Sequence, residues 1–496
     1  MVMGQSYSRI RATVSQCVFI LLLNCPLTAQ AWQAADSIAE ERHALQSPLL
    51  RGLQNTVDES EFIQQSGADS TLLEQLRRAD GILADARSQN RYAFRLMSRQ
   101  ARVGVAANSP NILLITVDRL ALGDPGCYGQ KTIQTPRIDE LAREGLSLRK
   151  FYSAGPGSQA ARWSLLTGQM QHRMPRNQSH RFRVNEGQVT LADALWKAGY
   201  LTAFFGLWMN GDNPQAHGFE NWSGFHSAKD ATLEFPESIH VDAARVRILK
   251  NTAGGRGVSS RAMLASELRS WLLNKRRNSR QFFVHFSVSA FADLDAGEST
   301  RAISTEEYRR RVERADHFVG QILDTLQATG LARRTCVVLT AENGPHRRCH
   351  EAVSRLGSLG DKRVSPEGLC DGNLQVPCIV RWPDKVRPGD TNDRACAAWD
   401  LLPTFLSIAV ARDRAITDGV PFVAMLRGQS QKIHPLMYWE SGQGGLIHQA
   451  AWKNGWKAFK PGDSRRVQLY RSSDDPAERV DRSAEFPDVL AGLIKR

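Results

Sequence analysis

A chain of 496 residues is longer than one hydrophobic core usually serves, so a large domain with smaller additions is expected. Apolar residues at 42% and charged residues at 23% are the balance of a globular protein, and no internal run is long and apolar enough for a stable membrane span. The net charge of +13 favours polyanionic partners, but Lys and Arg are scattered rather than gathered in one tract, so no nucleic-acid partner is read from it.

In chain order, Arg9 and Arg11 precede the apolar stretch CVFILLLNCPLTA, and Ala29-Gln30-Ala31 supplies small residues for cleavage. Residues 1–31 therefore read as a removable signal peptide, and the mature chain as secreted or periplasmic. Six cysteines remain after that cleavage, at 127, 336, 349, 370, 378 and 396, without a CxxC pair, so no zinc knuckle is predicted. Export permits disulfides, and Cys349 with Cys370 is the pair to test first. Residues 32–107 are polar and helix-prone and are read as a helical N-terminal extension without chemistry.

The pattern changes at Asn108. NILLITVD is a continuous apolar run ending in an acid, as a strand buried on both faces reads. TPRIDELAREG predicts a helix capped at Thr135, with Pro136 in its first turn and Gly145 as its stop. VTLADALWKAG predicts another, with a Thr190–Asp193 capping box and a Gly199 end. LTAFFG, RQFFVHFSVSA, TCVVLTAENG and VPCIVRW read as buried strands, and YRRRVERADHFVGQILDTLQATG as a long helix with Val312, Ala315, Val319, Ile322 and Leu326 inward. The fold class is therefore α/β, a large mixed sheet flanked by helices over residues 108–410. PLMYWE, the stretch from Trp452 to Phe459, VQLYRS and FPDVLAGLIKR predict a smaller antiparallel sheet and a terminal helix over 411–496.

Ligands of such sheets bind beyond the carboxyl ends of the strands, where loops and helix N-termini converge. Three polar groups are predicted at those ends: Asp118 after NILLITV, Glu342-Asn343 after CVVLTA, and Ser158 at the head of the helix in GPGSQAARWSLLTG. Two acids and an amide oxygen are suitable ligands for Ca²⁺ or Mg²⁺. Ser158 and Arg162, one turn apart, would favour an oxyanion. A serine opening a helix is also the commonest N-cap, so both roles stay open for Ser158.

At this point the chain resembles the sulfatases of the alkaline-phosphatase-like superfamily. The likeness runs from ILLITVDRLALGDPGCYGQKTIQTPRIDELAREGLSLRKFYSAGPGSQAARWSLLTG through LADALWKAGYLTAFFGLW, HGFENWSGF, TAENGPH, GDKR, VPCIVRWPDKVRPG and LYRSSDDPAERVD. It implies a sulfuric ester hydrolase acting on a sulfated carbohydrate. SQAAR matches the serine form of the signature that a serine-type maturase converts to formylglycine, with Ser158 as the precursor and Arg162 as the signature arginine. The resemblance also implies metal ligands at Asp118, Glu342 and Asn343, and a sulfate-binding lysine at Lys362.

The departures fall on the reacting positions. Arg119 stands where the family has a second metal-binding aspartate, and Leu207 and Met209 stand in its Gly-Lys-Trp-His segment. A later family histidine falls near Ala292, which leaves His346 as the replacement acid-base group. An inward Arg119 would repel a divalent ion 4 Å away by roughly 8 kcal/mol at an effective dielectric near 20. The side chain would either turn away or take part of the cation's place and bind sulfate itself. His217 and His285 read as structural, and the alternative function is a pseudo-sulfatase that binds sulfated glycan without turnover. Phosphodiester or phosphonate hydrolysis is less consistent with a chain that lacks a histidine-rich metal set.

Overall fold

The central strand β1 (Asn111–Val117) is wholly apolar apart from Asn111 and Thr116, and every residue of it is buried. The computed structural model describes residues 109–174, 184, 188–209, 213–242, 244–276, 280–295, 301–411, 416–443, 446–462 and 464–494. The signal peptide predicted over 1–31 and the extension over 32–107 lie outside the described residues.

The remaining strands are β2 (Leu146–Leu148), β3 (Phe151–Tyr152), β4 (Leu201–Leu207), β5 (Asn221–Phe225), β6 (Ser238–Val241), β7 (Ala244–Arg247), β8 (Phe282–Val288), β9 (Thr335–Ala341), β10 (Cys378–Arg381), β11 (Asp390–Asn392) and β12 (Cys396–Ala397). Ten of the strands form one mixed sheet in the order β11-β2-β10-β9-β1-β8-β4-β5-β6-β7, and β3 pairs with β12 apart from it. β9, β1, β8, β4 and β5 run parallel, with Leu114 opposite His285 and Thr116 opposite both Ser287 and Thr340. This is the mixed α/β sheet expected from the alternating strands and helices.

The helices that position the site are α1 (Pro136–Arg143), α2 (Ser158–Thr167), α3 (Leu191–Lys197), α4 (Ser260–Arg276) and α5 (Thr305–Ala328). The Thr190–Asp193 capping box opens α3, and Gly199 follows it in the left-handed region at φ 98°. All five predicted inward residues of α5 are buried. One local expectation is corrected, at Thr135, whereas α1 ends at Arg143, just before Gly145, as expected. Thr135 sits at the N-cap of α1, but its hydroxyl accepts the Gly126 N–H rather than capping the helix. Gly145 is required because a Cβ there would lie 2.5 Å from the Val380 carbonyl oxygen.

A second, antiparallel sheet joins β13 (Met437–Gln443), β14 (Leu446–Lys453), β15 (Trp456–Lys460) and β16 (Gln468–Arg471), followed by the terminal helix α6 (Pro487–Ile494). The stretch from Trp452 to Phe459 is not one strand. It turns at Asn454-Gly455, both at positive φ (49° and 82°), the two-residue hairpin that an Asn-Gly pair favours. The six cysteines at 127, 336, 349, 370, 378 and 396 are free thiols, which corrects the expected Cys349–Cys370 bridge. The two lie in different surroundings: Cys349 feels the charges of Arg119, Arg311 and Asp124, whereas Cys370 feels Glu478 and Lys457. Among the described residues no helix is long and apolar enough to cross a membrane.

Candidate functional site

Two strand ends and one helix start meet at Ser158. Gly157 is the N-cap of α2 and makes no side-chain cap bond, so Ser158 is the first helical residue and its hydroxyl is not the cap. Ser158 is 6% exposed, and its Oγ accepts hydrogen bonds from Arg119 Nη2 at 3.0 Å and from Asn343 Nδ2 at 3.0 Å. Two donors aimed at one oxygen suit an atom that becomes more negative, because such dipoles act in a water-poor site without reorganising.

Arg119 points inward. Its backbone follows the end of β1 in the left-handed region, at φ 57°, a conformation that costs a side-chain-bearing residue about 1–2 kcal/mol. The turn is held by the Arg119 N–H donating to Asn343 Oδ1 at 3.2 Å. Asn343 thus fixes the arginine through its oxygen and shares Ser158 with it through its nitrogen.

Beside this group lies a buried ion pair, Arg162 Nε donating to Glu342 Oε2 at 2.6 Å, with side chains 8% and 2% exposed. Glu342 Oε1 accepts from Thr116 Oγ1 at 3.1 Å and Ser287 Oγ at 2.9 Å. Arg162 therefore braces Glu342 rather than bonding to Ser158. Its Nη1 is buried without a hydrogen-bond partner. His285 Nε2 lies 3.0 Å from Thr116 Oγ1, and burial lowers the imidazole pKa to about 4, so a neutral ring ends this chain of contacts.

Asp118 accepts from the Ala290 N–H at 2.5 Å and the Phe291 N–H at 3.0 Å through Oδ1, and again from Phe291 at 3.0 Å through Oδ2. Burial, then the charge of Glu342, raises its pKa to about 7 against the pull of those two amides and Arg119.

The predicted cation ligands can now be tested against their surroundings. All four carboxylate oxygens of Asp118 and Glu342, and the Asn343 amide oxygen, already accept protein hydrogen bonds. Two buried acids face two buried guanidinium groups, and Asp118, with its pKa raised to about 7, is partly neutral near that pH, so the cluster holds no surplus of negative charge to draw an ion. As arranged, these residues do not fit Ca²⁺ or Mg²⁺, which need several open oxygen ligands. Among the described residues no group of three or more His, Cys, Asp or Glu could hold a metal.

The other predicted positions have partners of their own. Lys362 is half-buried, and its ammonium is disfavoured mainly by burial, with Asp371 and Asp361 opposing that and Lys150 adding to it. His346 Nδ1 accepts the Arg348 N–H at 3.3 Å and so caps the turn Arg347–Cys349. Leu207, Trp208 and Ala292 are buried, and the Trp208 ring packs at 5.1 Å from Phe204 and 5.6 Å from His217. Sequence reasoning missed Thr116 and Ser287, whose signal was a polar residue inside an otherwise apolar buried strand.

A family model described as Sulfatase matches residues 110–411. Mouse steryl-sulfatase is 29% identical over 466 aligned residues, covering 73% of this chain and 73% of that protein. Human N-acetylgalactosamine-6-sulfatase is 27% identical, covering 78% and 85%. The crystal structure of Ps i-CgsB superposes with a TM-score of 0.66 at 23% identity, over 78% of this chain and 91% of that one, a likeness of fold. With the matched span taking in Asp118, Arg119, Ser158, Arg162, Glu342 and Asn343, the chain belongs to the sulfatase family.

Proposed function

We propose that the protein is a sulfuric ester hydrolase that acts on a sulfated carbohydrate, with Ser158 as its reacting position. The observation that carries this reading is the Ser158 oxygen held at 3.0 Å by both Arg119 and Asn343. The substrate class follows the name of the N-acetylgalactosamine-6-sulfatases that the chain resembles over most of its length. Oxidised to formylglycine by a serine-type maturase, which removes two hydrogens, Ser158 supplies an aldehyde whose hydrate can accept sulfate and release it by collapse.

The chain's own residues set the conditions for that chemistry. Arg119 presents a permanent planar cation that can hold sulfate oxygens bidentately, where an ammonium would be a point charge. Asn343 orients the reacting oxygen and the arginine together. Arg162 keeps Glu342 paired, and Lys362 is the cation that would meet the far side of the sulfate. His346, three residues after Asn343 in the chain, is the acid-base candidate. The basic and apolar pattern of residues 1–31 points to export, to a secreted or periplasmic location.

The test is the chemical state of Ser158 in chain produced beside a serine-type maturase, read by mass analysis of its tryptic peptide, together with sulfate released from sulfated saccharides. Loss of two hydrogens with sulfate release supports the reading. Unmodified serine and no release would overturn it. A second reading, sulfated-glycan binding without turnover, is favoured by the closed hydrogen bonding of Asp118 and Glu342 and by Leu207 and Met209. It predicts saccharide binding that R119M weakens and chelator leaves unchanged, with no sulfate released.

A further inference from the structure

A cavity of about 210 Å³, lined by neither Ser158, Arg119 nor Asn343 but by Leu207, opens at the carboxyl ends of β4 and β8, beside helices α4 and α5. Arg261 enters it from the first turn of α4, and Arg311 and Arg314 from successive positions on one face of α5. Asp293 is the acid among the described residues lining it, and that carboxylate is taken by Arg311, at 2.6 and 3.0 Å. Arg311 also binds Glu307 at 2.9 Å. Arg261 has Glu234 only at 3.8 Å, in a pair 34% and 59% exposed, which counts for little in water. Arg314 has no ion pair among the described residues. Its charge is disfavoured by burial first, then by the neighbouring guanidinium groups of Arg261 and Arg311, with Glu234 opposing them.

A cavity that gathers guanidinium groups holds them against their mutual repulsion, and an anion would relieve it. The lining also offers hydroxyls at Ser260 and Ser289 and ring faces at Phe225 and Phe318, the mixture that a charged sugar presents in complement. Its volume is below the roughly 300–1,000 Å³ of drug-sized sites, enough for one charged substituent with part of its ring. The strand end it borders is that of the Ser158 group: Ala290 lines the cavity and donates to Asp118, and Ser287 lines it and donates to Glu342.

We propose that this arginine cavity is a second anion subsite, which takes a sulfate or carboxylate carried by the sugar adjoining the one held at Ser158. The assignment rests on the sulfated-carbohydrate reading above. It makes the protein selective for saccharides with two anionic groups on neighbouring rings.

Calorimetry on the full chain tests this with three disaccharides: one with a single sulfate, one with a second sulfate on the adjoining ring, and one with a uronate carboxylate there instead. The doubly charged probes are expected to bind at least tenfold more tightly than the first. The double variant R261A/R314A is expected to bring them down to the level of the monosulfated probe, whose own affinity it leaves unchanged. Because the Arg261–Glu234 pair is part-exposed and Arg314 forms no ion pair among the described residues, the variant should melt with the wild type in the absence of ligand. Equal binding of all three probes by the wild type, or a preference that survives in R261A/R314A, would overturn the proposal. Failure of the Ser158 reading has a different signature: R119M would then bind the monosulfated probe as the wild type does, whatever the cavity variant shows.

Discussion

Lys457→Met should destabilise the protein by several kcal/mol and weaken sulfate binding at a site it does not touch. Lys457 lies on β15 of the small sheet with its side chain 1% exposed, and its Nζ is 2.7 Å from Asp371 Oδ1 and 2.6 Å from Glu478 Oε1. Burial opposes its charge, but the two carboxylates more than offset that and hold the ammonium protonated. Removing the cation leaves two acids, 3% and 6% exposed, with only the distant Arg363, 3.9 Å from Glu478, and neutral hydrogen-bond donors to offset their charge. Breaking a buried pair from one side costs about 3–5 kcal/mol, and here two pairs share the lost partner. With an unfolding entropy of about 2.1 cal/mol/K per residue, a folded body of this size melts roughly 4–6 °C lower for that loss. Asp371 begins the short turn whose Asn373 carbonyl packs on Gly344, so closely that a Cβ at Gly344 would lie 1.9 Å from that oxygen. Gly344 follows Asn343, so loosening the triad should also misplace the amide that holds Ser158. Differential scanning fluorimetry reads the first effect and sulfate calorimetry the second. The triple change K457M/D371N/E478Q should recover most of the melting temperature, because neutral partners carry no unpaired charge. A K457M protein that melts within 1 °C of the wild type would refute the argument.

Arg119→Met should lower affinity for a monosulfated saccharide at least tenfold, by calorimetry, without a change on adding EDTA; undiminished binding would remove the guanidinium from the site. The combined change R119D/L207K/M209H should create Ca²⁺ binding measurable by titration with the ion alone, since it restores an acid in place of a buried cation; the wild type is expected to give no such heat. Asp124 is fully buried, and its pKa is raised to about 6 mainly by that burial, against hydrogen bonds from Tyr308 and Ala121. The folded state therefore favours the neutral acid, and the stability this gives is present below about pH 4 and lost as pH rises through about 6. The loss is about 3 kcal/mol at 1.36 kcal/mol per unit. Between pH 4.5 and 7 about 2 kcal/mol of it should be lost, so urea denaturation at those two values should show a larger fall in the wild type than in D124N by about that amount; equal pH dependence in the two would count against the assignment.

How much of this was legible in the sequence depended on whether the signal was local. The strands β1, β4, β8 and β9 announced themselves because a strand buried on both faces has no polar alternation to confuse, and α3 because its capping box is a contact three residues apart. Gly145 and Gly344 were read as a helix stop and as part of a motif, whereas each is required by a backbone that arrives from far along the chain, at Val380 and Asn373. The same holds for the site. Ser158 and Asn343 could be placed at converging ends from topology, but the partner of Arg162 could not, because an arginine one turn after a serine points to it as readily as to a carboxylate from another strand. Thr116 and Ser287 lie in register on neighbouring strands, information that appears only once the strands are paired.

Arg119 is where the local and distant signals meet. Alone, an arginine replacing an acid beside Asp118 is a loss of function or a misaligned residue. With the left-handed turn that aims it, the Asn343 oxygen that holds the turn and the Ser158 oxygen that receives it, the substitution is part of a closed arrangement. Two acids balanced by two guanidinium groups need no further cation, and a guanidinium already aimed at the reacting oxygen can meet a sulfate there. On the proposed reading, the anion is met by Arg119 and Asn343, the two groups that donate to Ser158 Oγ. Whether receipt is followed by turnover then depends on Ser158 itself, on whether its hydroxyl is converted to the aldehyde, because nothing else in the cluster can be both nucleophile and leaving group.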